Sequence, residues 1–154
     1  MIQNKESCLR LKFKDVTIDA KGISLTNLLQ SKEHNIDLNV VHMENVNIDE
    51  RGLKTIIKAC KKMKGLKELR LINMHLGVGN SMQWVEKAFK RHPTLEILDL
   101  SNNDLKDYCH VAKILEKNRC IKKVNVRGND MNGDQFATIY FALSENFSVI
   151  EIKH

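Results

Sequence analysis

The chain is poor in the residues that mark most specialised surfaces. Its 154 residues include one proline, one tryptophan, seven glycines and only 5% aromatics. So few aromatic side chains exclude the alternation of basic and stacking groups that a nucleic-acid surface uses, and no DNA- or RNA-binding signature occurs. No apolar run approaches the ~20 residues needed to cross a bilayer. The polar start Met1-Ile-Gln-Asn-Lys-Glu6 lacks the apolar core of a signal peptide, so a cytoplasmic location is expected. Cys8, Cys60, Cys109 and Cys120 form no CxxC pair and read as small hydrophobes in a reducing compartment, with Cys8 and Cys60 on core positions.

Catalytic patterns are missing too. His34, His42, His75, His92, His110 and His154 are scattered without a metal-ligand spacing, and there is no GxSxG, phosphate loop or paired-cysteine motif. The expectation is a protein that is not an enzyme and holds no cofactor and no metal. Cys109 beside His110 is the one candidate nucleophile. His42 shares a strand face with Asp99 and Ser101, but at two strand spacings, roughly 10 Å, they are too far apart for a proton relay. Asn146-Phe-Ser148 fits a glycosylation sequon, which carries no meaning without secretion. Trp84 reads as a packing residue on a helix.

What the chain has is a repeat. Leu95-Glu-Ile-Leu-Asp-Leu-Ser-Asn-Asn-Asp-Leu105 follows the pattern LxxLxLxxNxL. Leu95, Leu98, Leu100 and Leu105 fall on one apolar column, while strand alternation sends Ile97, Asp99 and Ser101 the other way. Asn103 sits where the chain leaves the strand and can satisfy backbone groups of the neighbouring turn from inside the fold. The spacing recurs at Ile121, Val124, Val126, Asn129 and Met131, and at Leu66, Leu69, Leu71, Met74 and Leu76. It recurs again at Leu38, Val41, Met43, Val46 and Ile48, and at Cys8, Leu11, Phe13, Val16 and Ile18. A partial last unit opens with Val149 and Ile152. The starts at 8, 38, 66, 95, 121 and 149 are separated by 30, 28, 29, 26 and 28 residues, a period that spans residues 1–154 as a single domain.

Each unit continues into a helix. Asp49-Glu-Arg-Gly52 leads into Leu53, Ile56, Ile57 and Cys60, a spacing of three and four that puts one stripe on the core. Gly22 precedes Ile23, Leu25, Leu28 and Leu29 in the same way. A third helix is expected near Met82 to Arg91, burying Val85, Ala88 and Phe89 and stopping before Pro93. A fourth uses Val111, Ile114 and Leu115. A fifth, entered through the turn Asn132-Gly133, uses Phe136, Ile139, Tyr140 and Leu143.

With these units in register, the chain resembles the ribonuclease-inhibitor-like class of leucine-rich repeat proteins, shared by ribonuclease inhibitor, tropomodulin and the sensor domains of NOD-like receptors. Residues 95–105 and 121–131 and the glycines Gly22 and Gly52 carry the resemblance. It departs at Val16, Val46 and Met74, which replace the expected asparagine or cysteine, at the irregular turn Gly77-Val-Gly79-Asn80, and at the short fifth unit. The resemblance implies an α/β fold: a right-handed leucine-rich repeat solenoid with a parallel β-sheet on the concave side and α-helices on the convex side. It also implies a protein that binds other proteins.

Alternation defines the exposed strand face as Arg10, Lys12 and Lys14; Val40, His42 and Glu44; Glu68, Arg70 and Ile72; Ile97, Asp99 and Ser101; Lys123, Asn125 and Arg127; then Glu151 and Lys153. The residues nominated for partner binding are Arg10, Lys12, Lys14, His42, Glu44, Arg70, Ile72, Ile97, Asp99, Ser101, Asn125 and Arg127. Ile72 with Arg70 has the make-up of an anchor in a polar surround. The chain carries 25 Lys and Arg against 19 Asp and Glu, and residues 1–77 hold 14 against 9. The densest run, Lys58 to Lys64 with Lys67, falls at a helix C-terminus, where it complements the helix dipole. An alternative reading uses it with Arg10, Lys12 and Lys14 as a polyanion- or acidic-surface-binding patch. A pathogen effector mimicking a host repeat protein is a further alternative. The C-terminal edge is open to three outcomes: parallel pairing onto another copy, truncation from a longer array, or closure by the chain's own terminal side chains, of which the last, giving a monomer, is the expectation.

Overall fold

The recurring strand segments lie side by side. The computed structural model describes residues 9–18 and 38–154, in which the elements run β1 (Arg10–Lys14), β2 (Thr17–Ile18), β3 (Val40–Glu44), β4 (Asn47–Ile48), α1 (Glu50–Lys62), β5 (Glu68–Ile72), α2 (Ser81–Phe89), β6 (Ile97–Asp99), α3 (Cys109–Lys117), β7 (Lys123–Asn125), α4 (Gly133–Ser144) and β8 (Glu151–Lys153). Cys8, Gly22, Ile23, Leu25, Leu28, Leu29 and His34 lie outside the described residues. The six strands β1, β3, β5, β6, β7 and β8 form one parallel sheet in chain order, and β2 pairs with β4 in a second, two-stranded ladder. The protein is therefore α/β with a mainly parallel sheet and four described helices.

The strands pair in the register set by the apolar spacing. Leu11, Val41, Leu69, Leu98, Val124 and Ile152 are successive neighbours across the sheet. Val41, Leu69, Leu98 and Val124 are each 1% exposed, and Leu66, Leu95 and Ile121, which precede their strands, are wholly buried. At ~1.5–3 kcal/mol for each large apolar side chain removed from water, these columns dominate the folding energy. Parallel strands need long crossovers, and here each crossover between β3 and β8 contains one helix.

The helices close over the inward side chains. α1 turns Leu53, Ile56, Ile57, Ala59 and Cys60 to the core, and the Asp49 side chain caps its N-terminus by accepting from Gly52 N at 2.7 Å. α2 spans Ser81–Phe89 and ends at its cap Lys90, slightly short of the expected Arg91. α3 buries Val111, Ala112, Ile114 and Leu115. α4 starts with a reciprocal capping box between Asn132 and Gln135. Two expected core residues of α4 are not buried: Phe136 is 51% and Tyr140 62% exposed, because no further helix among the described residues covers them. Val16, at a column position of the first unit, is likewise 39% exposed.

Asparagine finishes the interior. Asn103 is fully buried; its Oδ1 accepts from Met74 N at 2.8 Å and Leu76 N at 3.4 Å, and its Nδ2 donates to Leu71 O at 2.6 Å. Asn129 repeats this one unit on, accepting from Asn103 N at 2.8 Å and Leu105 N at 3.1 Å and donating to Leu100 O at 3.0 Å. A second pair works where the helices end. Asn118 Nδ2 donates to Phe89 O at 2.7 Å, and Asn146 Nδ2 donates to Leu115 O and, at 3.0 Å, to Asn118 O. Asn146 is 5% exposed, so the sequon asparagine is a structural group inside the fold.

After β1, β3, β5, β6 and β7 the chain turns left-handed at one position in register. Asp15, Asn45, Asn73 and Asn102 have φ between 51° and 56°, and Gly128 has φ 68°. Asn and Asp tolerate this region better than other side chains. Asn45 Nδ2 donates to Asp15 Oδ1 at 2.8 Å and Asn73 Nδ2 to Asn45 Oδ1 at 3.1 Å, forming a ladder along the sheet's C-terminal rim. Gly77 holds the irregular third turn against its neighbour: a Cβ there would lie 2.0 Å from Asp104 O.

Candidate functional site

The alternation that buries Leu69 and Leu71 turns Glu68, Arg70 and Ile72 to the opposite face of the sheet. Pairing then assembles rows from different units. One row runs Arg10, Val40, Glu68, Ile97, Lys123, Glu151; the next runs Lys12, His42, Arg70, Asp99, Asn125, Lys153; a third begins Lys14, Glu44, Ile72. Asn73 N donates to Ser101 O at 3.1 Å and Asn102 N to Arg127 O at 2.8 Å, extending the third row to Ser101 and Arg127. All twelve nominated residues thus share one face.

The face is electrostatically ordered. Lys14 Nζ bonds Glu44 Oε1 at 2.7 Å; this bond raises the lysine pKa and, with the charge of Lys14, holds the Glu44 carboxyl below its usual range. Arg70 Nε bonds the Glu68 carboxylate, and its Nη1 lies 4.0 Å from Asp99 Oδ2. Glu151 is flanked by Lys123 at 3.0 Å and Lys153 at 3.2 Å, whose hydrogen bonds lower its pKa. His42 Nε2 is 3.3 Å from Glu44 Oε2 but makes no hydrogen bond. Burial first, then the charges of Lys12 and Arg70, hold His42 below its ordinary 6.5, so the ring is neutral at neutral pH.

Asp99 and Ser101 differ from the rest of the face in being 6% exposed each. Asp99 Oδ1 accepts from Ser101 Oγ at 2.6 Å and from Ser101 N at 3.0 Å, and its Oδ2 accepts from Asn125 Nδ2 at 3.0 Å. They set the floor of the face, while half-buried Ile72, Ile97 and Val40 are its apolar contacts. A depression of about 270 Å³ opens there, lined by Arg70, Ile97, Asp99, Asn125 and also Lys123, Glu151 and Lys153, three residues outside the nominated set. Strand alternation places all three on the exposed face, where they continue the first and second rows.

The basic run lies elsewhere. Lys58, Lys61 and Lys62 are exposed on α1, and Lys64 and Lys67 are exposed between α1 and β5, whereas Arg10, Lys12 and Lys14 are exposed on the open sheet face.

The reactive side chains lie apart from this face. Cys109 is exposed, but its hydrogen bond to Asp107 raises its pKa and works against the thiolate. Its neighbour His110 bonds Glu86 Oε2 at 2.8 Å instead. Burial pushes the Cys60 thiol up to about 12, as befits a core residue. Among the described residues no group of three or more His, Cys, Asp or Glu could hold a metal ion, and no helix is long and apolar enough to cross a membrane. No family model matches the sequence, and no curated protein matches it.

Proposed function

We propose that this chain is a small right-handed leucine-rich repeat solenoid of the ribonuclease-inhibitor-like class, acting as a non-catalytic, cytoplasmic protein-interaction module. The strict strand register, the one-helix crossovers and the repeated bonding of Asn103 and Asn129 support the repeat reading. In such a solenoid the parallel sheet would line the concave side and the helices the convex side.

The observation that carries the function is the open face itself. It aligns ion pairs in rows around the half-buried side chains of Ile72 and Ile97, with Arg70 between them. Charges already held in pairs lose little freedom when a partner arrives, and half-exposed isoleucines supply the apolar contact that binding requires. Recognition would be by surface complementarity, with no chemical step.

The test is a cross-linking pull-down from the native cell, followed by Arg70→Ala with Ile72→Ala in the same chain. Loss of the captured partner with an unchanged melt supports the reading; equal capture refutes it. A polyanion-binding role is the second reading, favoured by the exposed lysines of α1. Affinity for the captured target should then drop steeply between low and moderate salt, whereas the sheet-face reading gives only a modest decline.

A further inference from the structure

Phe136 and Tyr140 occupy positions that are buried in, or at the N-cap of, every other described helix. Leu53, Met82 and Tyr108 precede Phe136 at steps of 29, 26 and 28 residues, and Ile57, Glu86 and Ala112 precede Tyr140 at the same steps; all six are between 1% and 6% exposed. The bonds of Asn118 to Phe89 O and of Asn146 to Leu115 O fix that alignment at the helix ends. The two rings therefore stand at core-column positions, and among the described residues no further helix stacks on them. β8 has the same deficit, for among the described residues it pairs only with β7. Glu151 N donates to Lys122 O at 3.1 Å and Lys153 O accepts from Val126 N at 2.8 Å, so alternation turns the N–H and C=O of Ile152 to the free edge.

That edge is complementary to itself. Two copies of Glu151-Ile152-Lys153 paired antiparallel about Ile152 would exchange both backbone hydrogen bonds between the two isoleucines. Each Glu151 would then stand opposite the second copy's Lys153, giving two attractive cross-strand pairs. Stacking head to tail onto β1 instead continues the rows, so Glu151 meets Arg10 but Lys153 meets Lys12, a like-charge contact. We infer that the C-terminal end of the sheet is a two-fold interface: a second copy of this chain pairs β8 to β8 and covers Phe136 and Tyr140 of each α4 with those of the other. Phe136 is half exposed even with the His154 ring 5.8 Å away, which leaves it available to such an interface.

Sedimentation of the full chain at tens of micromolar tests this interface independently of any partner on the open face. The expected mass is twice 17.7 kDa. Glu151→Lys places lysine opposite lysine and Lys153→Glu places glutamate opposite glutamate, so each alone should weaken the dimer about ten-fold or more. Mixing the two single variants should restore it, since every cross-strand pair is again of opposite charge. Tyr140→Glu, at an exposed position in the single chain, should also release monomers. A monomeric wild type, a mass that climbs past the dimer as head-to-tail stacking or another pairing mode would give, or a dimer indifferent to these charges would overturn the inference.

Discussion

Asn129 receives the backbone N–H of Asn103 at 2.8 Å, while Asn103 in turn receives that of Met74 at 2.8 Å. Each asparagine thus satisfies the turn of the unit before it, and at Asn103 it does so out of reach of water. Asn103→Ala leaves the buried groups of Met74 and Leu71 without partners, at ~1–3 kcal/mol each. A loss of roughly 2–4 kcal/mol in denaturant melts is expected. Asn129 is less buried, so Asn129→Ala should cost less.

Leu98 and Leu100 are 1% and 0% exposed. Aspartate at either position would bury a charge with no partner and should abolish the cooperative melt. An unchanged melt would mean that these leucines do not hold the stack together.

Gly77 and Gly128 are both tight, for different reasons. A Cβ on Gly128 meets the Asn102 side chain, which can swing away, so Gly128→Ala should cost mainly the positive-φ penalty of ~1–2 kcal/mol. A Cβ on Gly77 meets the backbone carbonyl of Asp104, so Gly77→Ala must displace the turn and should cost more. Equal melting points for the two variants would contradict this.

His92 is 3% exposed, its ring nitrogens make no hydrogen bond, and it stands where Asn118 and Asn146 stand in the next two units. Burial lowers its pKa below the ordinary 6.5. The unfolded chain therefore binds the proton first, and stability should fall as pH drops below 6.5 toward the folded value. His92→Asn should flatten part of that slope, leaving the part due to His42, whose pKa is depressed in the same direction. An unaltered slope would show that His92 contributes nothing to it.

The strand register was legible because Leu69, Leu98 and Val124 alternate with polar neighbours at a steady period, and a slip by one residue would expose them all. The side chains sharing the open face followed from the same alternation. Phe136 and Tyr140 were not legible in that way: a helical stripe shows which residues want cover, and whether cover exists depends on the next unit. The burial of Asp99 and Ser101 was hidden as well, since it arises from bonds to each other and to Asn125 across the strands. The left-handed ladder from Asp15 to Gly128 stands in register in the sequence, and its Asp, Asn and Gly identities are the readable signal.

The proposed role of the open face is tested most directly by the affinity of the captured partner for wild type and for Arg70→Ala/Ile72→Ala. Two anchors worth ~1 kcal/mol each when truncated should weaken binding by about thirty-fold, while the melting curve stays that of the wild type. Binding unchanged within experimental error, with the same fold, would contradict the account.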